Sequence, residues 1–288
     1  MTNSNDPENP EGADGPGDPD GPDALADLDD IEAGIDGIEV VARAAVLAGG
    51  AELRRRYRDG DTDGEYGTHD VSAAADEAAE ARMLPLVRRA FPDHAVFAEE
   101  AGEFSGRGPY RWIIDPLDGT NDFTAGLPTF ASSVAVLHEG TPVLAAVHQP
   151  ATDETYLARR GRGVRYDGQR VTADSDRRVE AATVATIVGR AVPRDPDLAR
   201  RADAVREGLE VEVKRVISSW APTVHSGLFA RGRLQGLVQF HPDEEERAVT
   251  DLLAREAGAV TRRDGPLSVA ASDDETLATL WDATEGVR

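Results

Sequence analysis

Oxygen donors gather in three short runs of this sequence, each beside an apolar stretch that can hold it in place. The longest run is Trp112-Ile113-Ile114-Asp115-Pro116-Leu117-Asp118-Gly119-Thr120-Asn121-Asp122-Phe123. A hydrophobic strand is predicted to end at Asp115, and Pro116 then turns the chain so that Asp118 faces the same point. Gly119 lets the backbone approach a ligand closely, and a helix is predicted from Thr120, where free N–H groups favour an anion. A second run, Phe97-Ala98-Glu99-Glu100, sets a carboxylate pair at a strand end. In the third, Asp70-Val71-Ser72-Ala73-Ala74-Ala75-Asp76, two acids flank a helix start. Carboxylates with a backbone carbonyl are the donors that hard cations such as Mg²⁺ take, often together with phosphate oxygens. Singly, each run has a plain structural explanation: an Asx-type turn, a solvated loop, or an N-cap at Asp70 or Ser72. Only the combination points to a site.

The rest of the sequence removes competing chemistries. None of the 288 residues is Cys, which excludes disulfides, thiolate zinc and a cysteine nucleophile. The six His have no metal-ligand pairing, and there is neither a G-x-S-x-G elbow nor a G-x-x-x-x-G-K phosphate loop. Lys and Arg number 31 against 54 Asp and Glu, a formal charge of −23, so neither nucleic acid nor an anionic membrane is expected as a partner. The longest apolar stretch, around Ala44–Ala51, is far short of the ~20 residues that span a bilayer. With an acidic N-terminus and no apolar signal core, a cytoplasmic location is expected. Lys214 is the sole lysine, and this acidic, arginine-for-lysine composition resembles that of proteins from salt-loving archaea, where screening tempers self-repulsion. A GC-rich genome is the alternative source of the same bias.

The elements that must position these acids follow from periodicity. Residues 1–30 carry ten acids, five Pro, four Gly and no basic residue, and are read as a disordered acidic tail. Apolar spacing through Ile35, Ile38, Val41 and Ala45 predicts a helix from Ile31 to about Tyr57. A second is predicted from Ser72 to about Ala90, kinked at Pro85. Strands are expected at Ala95–Ala98, Arg111–Ile114, Ser132–Leu137, Val143–His148 and Thr155–Arg160. From about Arg178 the pattern alternates: strands Thr183–Val188, Val211–Ile217, Leu234–Phe240 and Ala259–Arg262, with helices Pro196–Glu207, Thr223–Arg231 and Glu244–Ala257. The expected organisation is an N-terminal α+β half over 31–175, carrying the acidic motifs, and a C-terminal α/β half over 176–288.

Taken together, the motifs resemble the inositol monophosphatase family, within a superfamily that includes fructose-bisphosphatases and adenosine-3′,5′-bisphosphate phosphatases. Trp112–Phe123 matches W-x-I-D-P-[LI]-D-G-T-x-[ND]-F, Ala98–Glu100 matches [GA]-E-E, and Asp70–Asp76 follows D-x-x-[TS]-x-x-D with Ser72 two residues past Asp70. Weaker agreement at Pro150–Gly168, Arg215–Ala221, Gly232–Val238 and Glu256-Ala257-Gly258 extends the likeness over roughly 35–275. The resemblance implies an α+β fold, a layered α/β/α/β/α sandwich, and Mg²⁺-dependent hydrolysis of small phosphate monoesters, with two or three ions per site and Mn²⁺ as a substitute. Carried over, Glu99, Asp115 and the Leu117 carbonyl hold one ion, and Asp115 and Asp118 hold another. Asp76 and Thr120, assisted by Glu99, activate water, while the Gly119 and Thr120 N–H groups hold phosphoryl oxygens. A small phosphorylated substrate and a homodimer are the partners it implies.

The match fails in places. The family's W-D-x-A-A run falls on Glu245-Glu246-Arg247-Ala248, so Glu246 stands where a metal-ligating aspartate is expected. Either Glu246 or nearby Asp243 serves as the ligand, or the run is only an acidic helix N-terminus favoured by the dipole. Gln239 takes the place of the glutamate that contacts substrate hydroxyls. Ser219 is retained on the substrate side, but Trp220 follows it where alanine is usual, to line the site or to pack in the core.

Overall fold

The computed structural model of the chain describes residues 23–67 and 71–287. By its contacts the chain divides into Met1–Ile38 and Glu39–Arg288. Of the first unit, the described part is the opening of helix α1 (Asp23–Asp59). Residues 1–22 of the acidic tail lie outside the described residues, as does Asp70. The helix begins inside the stretch read as disordered.

Glu39–Arg288 carries the remainder of α1 and all that follows. In order these are β1 (Gly64–Tyr66), β2 (Val71–Ala73), α2 (Ala74–Ala90), β3 (Ala95–Ala98), β4 (Gly102–Phe104), β5 (Tyr110–Asp118), α3 (Thr120–Thr124), β6 (Ala131–His138), β7 (Thr141–Gln149), β8 (Glu154–Arg159), β9 (Gly163–Tyr166) and β10 (Gln169–Val171). Strands β1 and β2 form a ribbon, and the others an eight-stranded sheet in the order β10-β9-β8-β7-β6-β5-β3-β4. There follow β11 (Thr183–Val188), α4 (Pro196–Glu212), β12 (Arg215–Ser218), α5 (Pro222–Ala230), β13 (Gly236–Phe240), α6 (Glu244–Glu256), β14 (Val260–Asp264), β15 (Leu267–Ala271) and α7 (Asp274–Asp282). They supply a five-stranded sheet ordered β12-β11-β13-β15-β14.

The layers are helix, sheet, helix, sheet, helix. Helix α2 packs on β5, α5 and α6 lie between the sheets, and α4 and α7 cover the far face of the smaller sheet. Strand alternation sorts the core. Ala185 and Leu237 face the middle helices with Val224, Phe229 and Leu253, while Val184, Val238 and Phe240 face outward to Leu209, Leu280 and Trp281. Helix α6, which follows β13 of the smaller sheet, contacts β5, β6, β7 and β8 of the larger one. Helix α2 runs to Ala90 through Pro85. Among the described residues no helix is long and apolar enough to cross a membrane.

Candidate active site

Strands β3 and β5 run side by side and parallel, with Ala98 opposite Ile114. Their carboxyl ends therefore deliver Glu99 and Asp115 to neighbouring points, the place where α/β sheets bind ligands. The Glu99 N–H donates to the Ile114 carbonyl at 3.2 Å. Past that pair the ladder of β5 with β6 slips between Asp115 and Asp118, and the slip re-aims the chain. Ser132 Oγ secures the turn by donating to the Pro116 carbonyl at 2.8 Å. Buried Glu80 of α2 sets the other lip, accepting the Glu100 and Ala101 N–H groups at 2.8 and 3.0 Å.

Gly119 has φ 90°, and the five-residue helix α3 begins just after it. So short a helix adds little dipole, which reduces the predicted helix-start effect to that of individual N–H groups. Thr120 Oγ1 lies 3.1 Å from both Asp76 Oδ1 and the Leu117 carbonyl. Asp122, also within the motif, is structural: it accepts Thr129 Oγ1 at 2.6 Å.

A cavity of about 150 Å³ collects most of the expected residues: Asp76, Glu99, Asp115, Leu117, Asp118, Gly119, Thr120 and Glu246. Glu100, Asn121, Trp220, Glu245 and Arg190 complete its walls. The acidic run has two placements at once. Glu245 and Glu246 line the cavity and also form the first turn of α6, where Glu246 Oε2 accepts the Asp243 N–H at 3.3 Å in a capping box.

Two expected residues lie elsewhere. Gln239, expected at the substrate, spends its amide on Asp251 Oδ1 at 2.8 Å and Ser268 Oγ at 3.2 Å and lines a separate cavity with them. Ser219 borders the site without lining it. Its Oγ is 3.0 Å from His225 Nε2, and it opens onto a neighbouring groove with Thr186, Val188 and Pro193. Trp220, 45% exposed, lines both spaces, which decides against core packing.

Seven carboxylates in this cavity face one guanidinium. Burial, then the charges of Glu99, Asp118 and Glu245, push the Asp115 carboxyl well above the ordinary range. Burial raises Asp118 to about 7 although Thr223 hydrogen bonds oppose the shift. Glu246 is likewise raised well above normal by burial and by Asp243 and Asp118. The cluster is short of positive charge, and its donors are hard oxygens, so the residues fit divalent cations. Even so, no three Asp, Glu or His among the described residues are grouped to hold an ion as they stand. Several of these oxygens are already engaged in hydrogen bonds. Asp115 Oδ1 accepts the Leu117 N–H at 3.1 Å, Asp118 Oδ2 accepts the Thr223 N–H at 2.9 Å, and Glu99 and Glu245 accept from Arg190.

This geometry coincides with a family match. The model of the inositol monophosphatase family covers residues 35–287. The chain belongs to that family. It is 30% identical over 227 residues to Nus factor SuhB of Haemophilus influenzae, covering 77% of this chain and 83% of that one. To the fructose-1,6-bisphosphatase/inositol-1-monophosphatase of Aquifex aeolicus it is 29% identical over 226 residues, 76% of this chain and 83% of that one. Among solved structures, the extragenic suppressor protein SuhB of Bartonella henselae superposes with a TM-score of 0.78 at 25% identity, over 86% and 98% of the two chains. The inositol monophosphatase of Anabaena gives 0.75 at 24%, over 88% and 97%, a likeness of fold.

Arg190 and Thr223 are the site residues that sequence reasoning did not reach. Both stand at ends of predicted elements: Arg190 just past β11, Thr223 at the start of α5. The rule that parallel strands bind at their carboxyl ends is the signal that marks Arg190.

Proposed function

We propose that the chain is a Mg²⁺-dependent phosphomonoesterase for a small polyol or sugar phosphate, with inositol 1-phosphate and fructose 1,6-bisphosphate as leading substrates. The observation that carries this reading is the ratio of seven acids to one guanidinium in a cavity also lined by Gly119 and Thr120. Glu99, Asp115 and the Leu117 carbonyl would hold one ion, and Asp115, Asp118 and Glu246 a second, with Asp115 shared. Mn²⁺ suits the same oxygens, and the acidic walls leave donors for a third ion. Bound ions supply positive charge against the transferring group and make water a better nucleophile.

The chain's own groups do the rest. Asp76 and the Thr120 hydroxyl, 3.1 Å apart, orient a water and take its proton, with Glu99 assisting. The Gly119 and Thr120 N–H groups meet phosphoryl oxygens as charge accumulates on them. Trp220 offers an apolar face to the alcohol part of the ester, which the adjoining groove of about 300 Å³ accommodates.

Two observations favour a second reading. Glu99 and Glu245 are turned onto Arg190, and the Haemophilus relative is named a Nus factor; together these support a non-catalytic relative that binds metal or sugar phosphate and regulates. Within the enzyme class the runner-up is a nucleotide 3′,5′-bisphosphate phosphatase. Phosphate release in multimolar KCl separates them, assayed on inositol 1-phosphate, fructose 1,6-bisphosphate and adenosine 3′,5′-bisphosphate with Mg²⁺ or EDTA. The expected result is release from a polyol or sugar ester that chelation abolishes. If no ester is turned over and Glu246→Asp restores nothing, the enzyme reading is lost to the regulatory one.

A further inference from the structure

Arg190 is the one basic side chain among the residues that line the acidic cavity. It follows β11 directly after Gly189, where a Cβ would run into the His241 carbonyl oxygen, so the chain turns tightly there against the segment leading to α6. Asp243, the N-cap of α6, grips the arginine twice. Its Oδ2 accepts the Arg190 backbone N–H at 2.9 Å and Nε at 3.2 Å. That leaves both ends of the guanidinium fork free for other acids. Nη1 donates to Glu99 Oε1 and Nη2 to Glu245 Oε1, so one planar group bridges acids carried by β3 and α6. Burial opposes its charge, but Glu99, Glu245 and Asp243 outweigh that and hold the guanidinium protonated.

We infer that Arg190 and a divalent cation compete for this cavity, so that ion uptake requires the guanidinium to release Glu99. The inference rests on the metal reading of the site. Glu99 Oε1 is an oxygen that reading gives to an ion, and Mg²⁺ demands its ligands at about 2.0–2.1 Å in a near-octahedral shell. Two cations crowded onto one carboxylate repel each other strongly where water is scarce. The arginine has somewhere to go. Its side chain is 37% exposed, and the backbone N–H contact with Asp243 holds the base of the residue while the guanidinium gives up its Nε contact and swings outward. Two consequences follow. Arg190 neutralises part of the acidic cluster and so supports folding without an ion. It also lowers ion affinity below what the bare oxygens would give.

The test is calorimetric titration of Mn²⁺ into the full chain and into Arg190→Gln, with melting temperatures taken with and without the ion. Losing one charge-assisted hydrogen bond as competitor should tighten Mn²⁺ binding by about tenfold or more. Without Mn²⁺ the variant should melt below the native chain, and saturating Mn²⁺ should close the gap. A purely structural role for Arg190 predicts a gap that persists with the ion, and that result overturns the inference. So does equal or weaker Mn²⁺ binding by Arg190→Gln. Arg190→Lys guards against misfolding of the neutral variant: it keeps a charge but not the fork, and its Kd should fall between the other two. A Kd above the native value overturns the inference as well. If neither the native chain nor any variant binds Mn²⁺, the metal reading itself fails and the competition with it. Equal affinity throughout defeats the competition alone.

Discussion

Asp115→Asn is expected to lower phosphate release by at least about 10³-fold while leaving the chain folded and, without divalent ions, more stable than native. The two effects have one cause. Asp115 is 6% exposed and stands among Glu99, Asp118 and Glu245, which with burial raise its carboxyl well above normal. A carboxylate that is costly to ionise is expected where its charge is used, and the use proposed for it is to hold cations against the phosphoryl group. Asparagine has nearly the same shape, and its Oδ1 can still accept the Leu117 N–H that Asp115 Oδ1 accepts at 3.1 Å. The turn therefore survives while the charge does not. A raised folded pKa means that the native state binds more protons than the unfolded chain, so the associated stability is present at low pH and lost as pH rises through the folded value. Asp118, raised to about 7, obeys the same sign. The melting-temperature gain of Asp115→Asn should accordingly grow between pH 5 and pH 8. A variant that retains near-native turnover contradicts the shared-ligand role. One that loses turnover by unfolding shows that Asp115 is structural.

Gly119→Ala should produce the second large effect, on stability and turnover together. The position has φ 90°, a left-handed conformation that costs an alanine about 1–2 kcal/mol. Space is lacking as well. A Cβ there would sit 2.7 Å from the Thr129 carbonyl oxygen and 2.9 Å from the Ala221 Cβ, and overpacking of that kind typically costs another 1–3 kcal/mol. The melting temperature should fall by roughly 5–15 °C for a chain of this size. Because the strain lies between Asp118 and Thr120, surviving molecules should also turn over slowly, and saturating substrate should not rescue them. Near-native melting would mean that the loop relaxes freely and that Gly119 is not needed for its geometry.

What the sequence made legible was local. Trp112-Ile113-Ile114 is an unbroken apolar run because β5 is buried on both faces, and the acids that follow it could be placed at its end by counting. Glu99 was legible for the same reason, as the residue after the short strand β3. What stayed hidden depends on tertiary contact. Thr223 donates to Asp118 across 105 residues, and Arg190 reaches Glu99 across 91, separations that no periodicity encodes. The motif resemblance gives the position of Gln239 but not the company of Asp251 and Ser268, which occupies its amide. Val211 reads as the start of a strand because valine is β-branched, yet it is 81% exposed and continues α4, so no packing surface rewarded extension. β15 and α7 were missed where only five residues and nine residues, respectively, carry the pattern.

The central claim is that acids from β3, β5 and α6 hold divalent ions between them. Anomalous scattering from a crystal soaked in Mn²⁺ tests it most directly. The expected map has at least two peaks in the cavity, one shared by Glu99 and Asp115 and one by Asp115 and Asp118, with the Arg190 guanidinium drawn off Glu99. A map with no peak among these three residues at saturating Mn²⁺ would contradict the account.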